Sequence, residues 1–154
     1  MTKPIPDGYH AITPNIAVAG GADAISFYER AFGARVVRRL NAGDMVMHAE
    51  LRIGDSLFTL CDEMPEYGLK APEPDAPVPV SLLIYTEDAD ALHARAVEAG
   101  ATVFSEVSDQ FHGDRAGSVK CPFGHRWMIA THTEDMSEAE MQRRTDEFMA
   151  KASG

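Results

Sequence analysis

The sequence contains few cysteines, few basic residues and no long apolar run. Two cysteines in 154 residues, without the close spacing of a metal site, are typical of a protein kept reduced. The 14 lysines and arginines are outnumbered by 24 acidic residues, and the net charge of −10 argues against nucleic acids and anionic membranes as partners. No stretch approaches the roughly 18 consecutive apolar residues of a transmembrane helix. The opening residues MTKPIPDGYH lack the apolar core of a secretory signal, so we expect a cytoplasmic protein.

The sequence also lacks the common short motifs of catalysis and nucleotide binding. It has no Ser-His-Asp order of a hydrolase, no phosphate-binding loop and no dinucleotide fingerprint. Without a glycine-rich nucleotide loop after a strand, a methyltransferase is not supported either. An apolar content of 45% is enough for a packed core, and the length indicates one domain or two closely packed half-domains.

The most informative feature is an internal repeat. Residues 113–132, GDRAGSVKCPFGHRWMIATH, have the strand, glycine turn and strand of a β-hairpin. Residues 48–61, HAELRIGDSLFTLC, show the same pattern. Superposing Gly54 on Gly124 aligns the two hairpins at an offset of 70 residues (124 − 54). A repeated hairpin indicates a repeated structural unit.

The repeat extends to two predicted helices. Asp23 precedes Gly33 by ten residues, and Asp90 precedes Gly100 by the same ten, at an offset of 67 residues. An acidic residue is favourable at the positive N-terminal end of a helix, and glycine favours the left-handed conformation that ends one. Two matched elements in the same order predict the arrangement βαβββ twice.

These patterns divide the chain into two modules, a linker and a tail. The first module covers residues 1–62, the proline-rich linker 63–79, the second module 80–133 and the helical tail 134–154. The predicted strands are 12–19, 36–40, 45–53, 56–61, 80–86, 102–108, 116–120 and 126–131, and the predicted helices are 22–32 and 89–99. An α+β fold is therefore expected.

The tail carries its own helix signal. Ser137 and Glu140 form a capping box, and Met141, Phe148 and Met149 follow on one side of the predicted helix. An amphipathic helix must bury its apolar side on its own domain or on a second subunit. We expect a homodimer.

Three segments carry a family resemblance, and they occur in the order ITPNIAVAGGADAISFYERAFGA, MHAELRIGDSLFTLCDE and HGDRAGSVKCPFGHRWMIATH. With the paired βαβββ pattern, they resemble the vicinal-oxygen-chelate superfamily of glyoxalase I, extradiol dioxygenases and bleomycin-resistance proteins. The PhnB-like branch is the most similar. The resemblance implies two modules whose curved mixed sheets enclose a pocket, commonly completed within a dimer. The C-terminal helix is an addition to that fold.

The resemblance also implies where a metal would bind. Catalytic members hold a divalent ion with histidine and glutamate side chains from strands one, four, five and eight. In this sequence these positions fall at Thr13, Phe58, Ser81 and Met128. None carries an imidazole or a carboxylate, so we expect no metal cofactor and no glyoxalase activity with methylglyoxal and glutathione.

A different metal site stays open as an alternative. His48 and Glu50 are two residues apart on one predicted strand and face the same side. Other histidines that could join them are His112, His125 and His132. Otherwise His48 forms a hydrogen bond within the sheet, and Glu50 is solvated on the outer face. His10 and His93 are interpreted as surface residues.

Strand alternation from Phe58 and Met128 predicts the lining of the pocket. The predicted ligand-binding residues are Thr13, Asn15, Phe58, Leu60, Ser81, Leu83, Met128 and Ala130 on the strands, with Phe111 and Arg115 at the rim. An apolar cup with a few small polar groups is typical of a small-molecule site. Trp127 points to the other face of its strand, which favours packing over its alternative, ligand stacking.

The rim residues have two interpretations. Asp114 and Arg115 form an ion pair that gates or orients a ligand, or Asp114 caps a turn while Arg115 is solvated. Phe111 is placed to cover the mouth of the pocket.

Two classes of function follow from these expectations. The missing metal ligands favour a metal-independent protein that binds or sequesters a small apolar or amphiphilic molecule, as the bleomycin-resistance resemblance implies. The alternative is a metal-dependent lyase, isomerase, dioxygenase or thiol transferase of the same superfamily with a non-standard site. A purely structural role is a third possibility.

Overall fold

Two βαβββ modules follow one another along the chain. The computed structural model describes residues 1–154. The first module contains β1 (Asn15–Val18), α1 (Gly21–Phe32), β2 (Arg35–Ala42), β3 (Met45–Ile53) and β4 (Ser56–Asp62). The second contains β5 (Ser81–Tyr85), α2 (Ala89–Ala99), β6 (Thr102–Asp109), β7 (Asp114–Lys120) and β8 (Arg126–His132), and α3 (Glu138–Ala152) follows. The predicted element order is confirmed. None of the three helices has the length and apolar character needed to cross a bilayer.

Each module forms one four-stranded mixed sheet. The first sheet has the order β1-β4-β3-β2 and the second β5-β8-β7-β6. The edge strands β1 and β5 run parallel to their neighbours β4 and β8, and the other pairs are antiparallel. Helices α1 and α2 pack on one face of the sheets. We call the other face of each sheet its open face.

The predicted helix ends are confirmed by their capping geometry. Helix α1 ends at Gly33, whose φ of 68° lies in the left-handed region, and α2 ends at Gly100. Helix α3 begins after Ser137, whose hydroxyl accepts a hydrogen bond from the backbone N–H of Glu140 at 3.1 Å.

Asp62, at the end of β4, fixes the beginning of α1. Its carboxylate accepts hydrogen bonds from the backbone N–H groups of Gly20 at 2.9 Å, Gly21 at 2.8 Å and Val46 at 2.7 Å. A carboxylate in this place also interacts favourably with the positive end of the helix. Gly21 is needed because a Cβ atom there would lie 2.8 Å from the Cβ of Val46. One side chain therefore joins β4, α1 and β3.

A single apolar core joins the two modules. Tyr28 of α1 is fully buried, and its ring lies between Phe58 of β4 and Trp127 of β8, with centroid distances of 5.6 and 5.2 Å. Trp127 is only 3% exposed and also contacts Phe32, so its predicted packing role is confirmed. Helices α1 and α2 contact each other beside this cluster. The covered faces of both sheets are thus buried together.

The register of the two modules differs by one residue from the hairpin superposition. Phe58 and Trp127 both face the core, so β4 and β8 correspond at an offset of 69 residues (127 − 58) rather than 70. Only the two residues 54–55 connect β3 to β4, whereas the five residues 121–125 connect β7 to β8. Because side chains alternate along a strand, a one-residue slip exchanges the faces. Superposing Phe58 on Met128 was therefore wrong.

Helix α3 attaches to the turn before β7. The ring of Phe148 stacks on Phe111 with 4.7 Å between centroids. Arg144 donates to the carbonyl oxygen of Phe111 at 3.2 Å and pairs with Glu134 at 2.8 Å. Other apolar groups of the helix stay exposed, with Met149 at 57%.

Candidate functional site

The open face of the second sheet carries a groove of about 360 Å³. Side chains directly opposite each other on paired strands share one face. Leu83 pairs with Met128, and Tyr85 pairs with Ala130. We call this region the open-face groove and define it by Leu83, Tyr85, Asp114, Arg126, Met128 and Ala130.

The open-face groove has an apolar middle and polar ends of opposite charge. Arg126 begins β8, and Met128 and Ala130 follow it at two-residue intervals. Asp114 lies at the far end, where it pairs with the last residue of β8. An apolar surface with a few placed polar groups suits a small molecule that has an apolar body.

Asp114 is the most heavily hydrogen-bonded group of the groove. It is 8% exposed. The hydroxyl of Tyr85 donates to its Oδ2 at 2.8 Å, and Nδ1 of His132 lies 2.8 Å from its Oδ1. His132 continues the network, because its Nε2 lies 2.7 Å from Oδ1 of Asp135. His112 approaches from the other side, with Nδ1 3.9 Å from Oδ2 of Asp114. A nearly buried carboxylate is stable here because it is satisfied.

This network shifts the pKa values of its members in opposite directions. Burial alone would raise the pKa of Asp114, but the hydrogen bonds from His132 and Tyr85 lower it. The bond to Asp114 raises the pKa of Tyr85. Hydrogen bonds to Asp114 and Asp135 raise the pKa of His132. Near neutral pH the groove therefore ends in a carboxylate and a protonated phenol.

We expect His132 to titrate above the ordinary histidine pKa of about 6.5. Asp114 and Asp135 favour its imidazolium in the folded protein. The resulting stabilisation is complete below the unfolded-state pKa and is lost as the pH rises through the higher folded-state pKa. An NMR titration of the imidazole resonances, assigned with His132→Gln, measures this value. The Asp114→Asn substitution should lower it.

His125 provides an internal control for that titration. Burial lowers the pKa of His125, whose Nε2 lies 2.8 Å from the carbonyl oxygen of Ala17. The resonances of His125 and His132 should therefore move from the ordinary value in opposite directions. A pKa of His132 at or below the ordinary value in the unaltered protein would contradict the network.

The structure brings three of the residues predicted to bind a ligand together. Leu83, Met128 and Ala130 form the apolar middle of the open-face groove. They lie on two neighbouring strands with the spacing of one face, as strand alternation predicts.

Phe58 and Leu60 lie elsewhere. They are 5% and 0% exposed and belong to the core under α1, because the register of β4 is one residue away from the assumed one. Phe58 reaches only the margin of a separate cleft of about 410 Å³ between the modules. The face of β4 that corresponds to Met128 carries Thr59 instead.

The three small polar residues of the predicted set are not gathered in the groove. Thr13 precedes β1, which begins at Asn15 and not at residue 12. Asn15 lies on the first sheet, where its Oδ1 accepts a hydrogen bond from the hydroxyl of Thr59 at 2.8 Å. Ser81 begins β5 and pairs with Arg126.

The two predicted rim residues have structural partners. Phe111 stacks on Phe148 and so anchors α3. Arg115 forms two hydrogen bonds to Asp90 of α2, at 2.7 and 2.9 Å. Strand β7 begins at Asp114, so these neighbours lie on a strand and face opposite sides. Both interpretations of the pair as loop residues, gating or capping, are therefore wrong.

A second polar cluster lies on the first sheet. Glu50 accepts a hydrogen bond from the hydroxyl of Tyr9, and its carboxylate lies 3.4 Å from Nε of Arg38 and 3.5 Å from Nε2 of His48. The expectation that Glu50 is solvated is wrong, because Tyr9 of the N-terminal segment covers it. The bond from Tyr9 lowers the pKa of Glu50, while burial and Glu50 raise the pKa of Tyr9 to about 12.

The histidines are dispersed over the structure. His93 was interpreted as a surface residue, but it is 5% exposed and its Nε2 lies 3.1 Å from the carbonyl oxygen of Ser105. His48 lies on the first sheet, whereas His112 and His132 surround Asp114 on the second. No group of three or more histidine, cysteine, aspartate or glutamate side chains is arranged to hold a metal ion.

The corrected register also changes the positions implied for a family metal. The matching open-face residues on β1, β4, β5 and β8 are Asn15, Thr59, Leu83 and Met128. They offer an amide, a hydroxyl, an alkyl group and a thioether. A Lewis-acidic divalent ion needs about three imidazole or carboxylate donors and an open position, so this donor set does not fit one.

Tyr85 and Arg126 were absent from the predicted site. Both could have been found from the sequence, because Tyr85 is two residues beyond Leu83 and Arg126 two residues before Met128. Alternation therefore places them on the same face. Their polar side chains did not match an apolar cup.

The fold and the sequence together define the class of this protein. Residues 10–129 match the family described as glyoxalase/bleomycin resistance protein/dioxygenase superfamily. The chain belongs to this superfamily.

Individual relatives extend the comparison. An uncharacterized protein of Mycobacterium tuberculosis, Rv0887c, is 37% identical over 136 residues, which cover 86% of this chain and 80% of that protein. The crystal structure of the Arabidopsis thaliana At5g48480 gene product is 30% identical with a TM-score of 0.59, covering 79% of this chain and 98% of that one. The PhnB protein of Bacillus cereus, described as a putative 3-demethylubiquinone-9 3-methyltransferase, has the same fold. Its TM-score is 0.61 at 16% identity, covering 79% of this chain and 99% of that one.

Proposed function

We propose that the protein binds or sequesters a small amphiphilic molecule without a metal, and that the open-face groove is its binding site. The observation that carries this proposal is the lining of the groove, where Leu83 and Met128 occupy the positions at which the superfamily resemblance places metal ligands. An alkyl group and a thioether bind apolar surface and do not suit a Lewis-acidic ion.

The shape of the site supports binding by a homodimer. A groove on an open face leaves one side of a ligand exposed, so a second copy that covers this face would complete the site. Strand β2 is exposed along its whole length, and Phe148 and Met149 of α3 are at least half exposed. Apolar surface of this kind is typical of a contact with another subunit.

The buried cysteines support the expected cytoplasmic location. Cys61 and Cys121 are both buried and unpaired. Free thiols in this state are typical of a reducing compartment.

Binding of the neutral apolar dye N-phenyl-1-naphthylamine tests the proposal. We expect the purified protein to bind the dye with the same affinity before and after treatment with a chelator. Met128→Arg fills the middle of the groove with a long charged side chain and should weaken binding at least about tenfold. Val97→Arg, on the exposed side of α2, is the matched control and should leave binding unchanged.

Elemental analysis of the same samples completes the test. One tightly bound divalent metal per subunit, whose removal abolishes dye binding or an activity, would favour the metal-dependent alternative. Equal dye binding by Met128→Arg and Val97→Arg would remove the open-face groove as the site.

A further inference from the structure

We propose that the molecule bound in the open-face groove carries an anionic group, a carboxylate or a phosphate, and that Arg126 binds this group. The proposal rests on the proposed function, because it names the class of ligand for the same groove. Arg126 is the first residue of β8 and lines the groove next to its apolar middle.

The side chain of Arg126 is held in place by an aromatic ring. Its guanidinium carbon lies 4.5 Å from the ring centroid of Phe104 on β6. A cation over an aromatic face is attracted by the negative charge on that face. This contact orients the planar guanidinium but satisfies none of its N–H donors. The group is thus preorganised with its hydrogen-bonding capacity unused.

Arg126 has no anionic partner in the chain. Its Nε atom is buried and makes no hydrogen bond, and the guanidinium forms no ion pair. Other arginines of the protein are paired, such as Arg115 with Asp90 and Arg144 with Glu134. Because the chain has 24 acidic residues for 14 basic ones, a carboxylate was available for most positions. A buried donor without a partner is costly, and a bound anion would remove that cost.

The surroundings of Arg126 favour an anion at this end of the groove. Lys120 lies directly opposite Arg126 on β7, and its ammonium group bonds to a backbone carbonyl oxygen, that of Ala76, at 2.8 Å. Two positive charges therefore lie on adjacent strands with no carboxylate bonded to either. Asp114 at the opposite end would repel an anion. The charges thus set the direction in which a ligand lies.

The spacing along β8 defines the rest of the ligand. Arg126 and Ala130 are four residues apart, which is roughly 13 Å along a strand. Met128 and Leu83 fill this interval with apolar surface. An anionic head followed by an apolar body of about this length fits the groove. A neutral apolar molecule fills the middle but leaves the donors of Arg126 unused.

Competition against a neutral reporter dye tests this proposal. The full-length protein is loaded with N-phenyl-1-naphthylamine, and decanol, decanoate and decyl phosphate are added as competitors that share one alkyl chain. We expect at least one anionic competitor to displace the dye at a concentration roughly tenfold lower than decanol does. A lower concentration for decanoate than for decyl phosphate, or the reverse, distinguishes carboxylate from phosphate ligands. Added salt should reduce the anionic advantage.

Variants of Arg126 assign the effect. Arg126→Gln should remove the anionic advantage and leave displacement by decanol unchanged, while Arg126→Lys should keep part of it. Arg30→Gln, on the exposed side of α1 and bonded to Ser26, is the control. Melting temperatures verify that each variant is folded. If Arg126→Gln does not fold, Phe104→Ala replaces it, because loss of the ring should weaken the advantage without removing the charge.

The outcomes separate this proposal from the proposed function. Displacement by decanol and by the anions at equal concentrations would overturn the role of Arg126 and leave the groove as a binding site. Failure of the dye to bind at all would overturn the proposed function. An Arg126→Gln variant that dissociates into monomers while keeping its anionic advantage would show that Arg126 pairs with a second copy, and would also overturn the proposal.

Discussion

Phe58→Ala is expected to lower the free energy of unfolding by about 3–5 kcal/mol, whereas Met128→Ala should lower it by less than half as much. Phe58 is 5% exposed and touches Tyr28 and Trp127 edge-on at 5.6 and 5.7 Å, so its removal leaves a cavity in the core. Met128 lies on the open face of its sheet, where solvent can fill the space. The two residues that the hairpin superposition equated should therefore behave differently.

Urea unfolding at one protein concentration measures both values. The m-value shows whether the variants still unfold as one unit. Met128→Ala should weaken binding of N-phenyl-1-naphthylamine, and Phe58→Ala, measured where it is folded, should not. Equal losses of stability from the two variants would contradict the one-residue difference in register.

Removing residues 137–154 is expected to convert a dimer into a monomer. Phe111 and Arg144 attach α3 to its own chain through one side, while Met141, Phe148 and Met149 stay 39%, 50% and 57% exposed. Exposed apolar side chains on an attached helix gain free energy only by contact with another surface. Sedimentation velocity at micromolar concentration measures the change.

A point substitution makes the same test without removing the helix. Met149→Glu places a charge on the exposed apolar side and should favour the monomer. Ala150→Glu adds the same charge at the next position and serves as the control. Should the full-length protein itself sediment as a monomer, with the truncation unchanged in melting temperature, a dimer built on α3 is ruled out.

The sequence predicted the order of elements because glycines and acidic residues recur at fixed spacing. Gly33 and Gly100 end the helices where expected, and the βαβββ order follows twice. The face of each strand was harder to predict. Hairpin alignment at the glycines hides the difference between a turn of two residues and a loop of five, and the error appears as Phe58 in the core instead of on the open face.

Contacts between distant segments lay beyond any local pattern. Tyr9 comes from a segment without periodicity and covers Glu50, which is 41 residues away. His93 looked solvent-exposed on its helix, yet it reaches the carbonyl oxygen of Ser105. The missing partner of Arg126 could not be read from the sequence either, because it depends on what every other carboxylate contacts.

The aromatic side chain of Tyr28 links the two halves of the repeat in a way that bears on their common origin. Its ring is buried jointly by Phe58 of its own module and Trp127 of the other. A chain of one module alone would leave the counterpart of this surface in water and would be folded only as a pair, at sufficient concentration. Joining two such modules in one polypeptide replaces that dependence with a constant local concentration set by the linker. Once joined, the halves were free to diverge, with Trp127 in one and Phe58 in the other at equivalent positions.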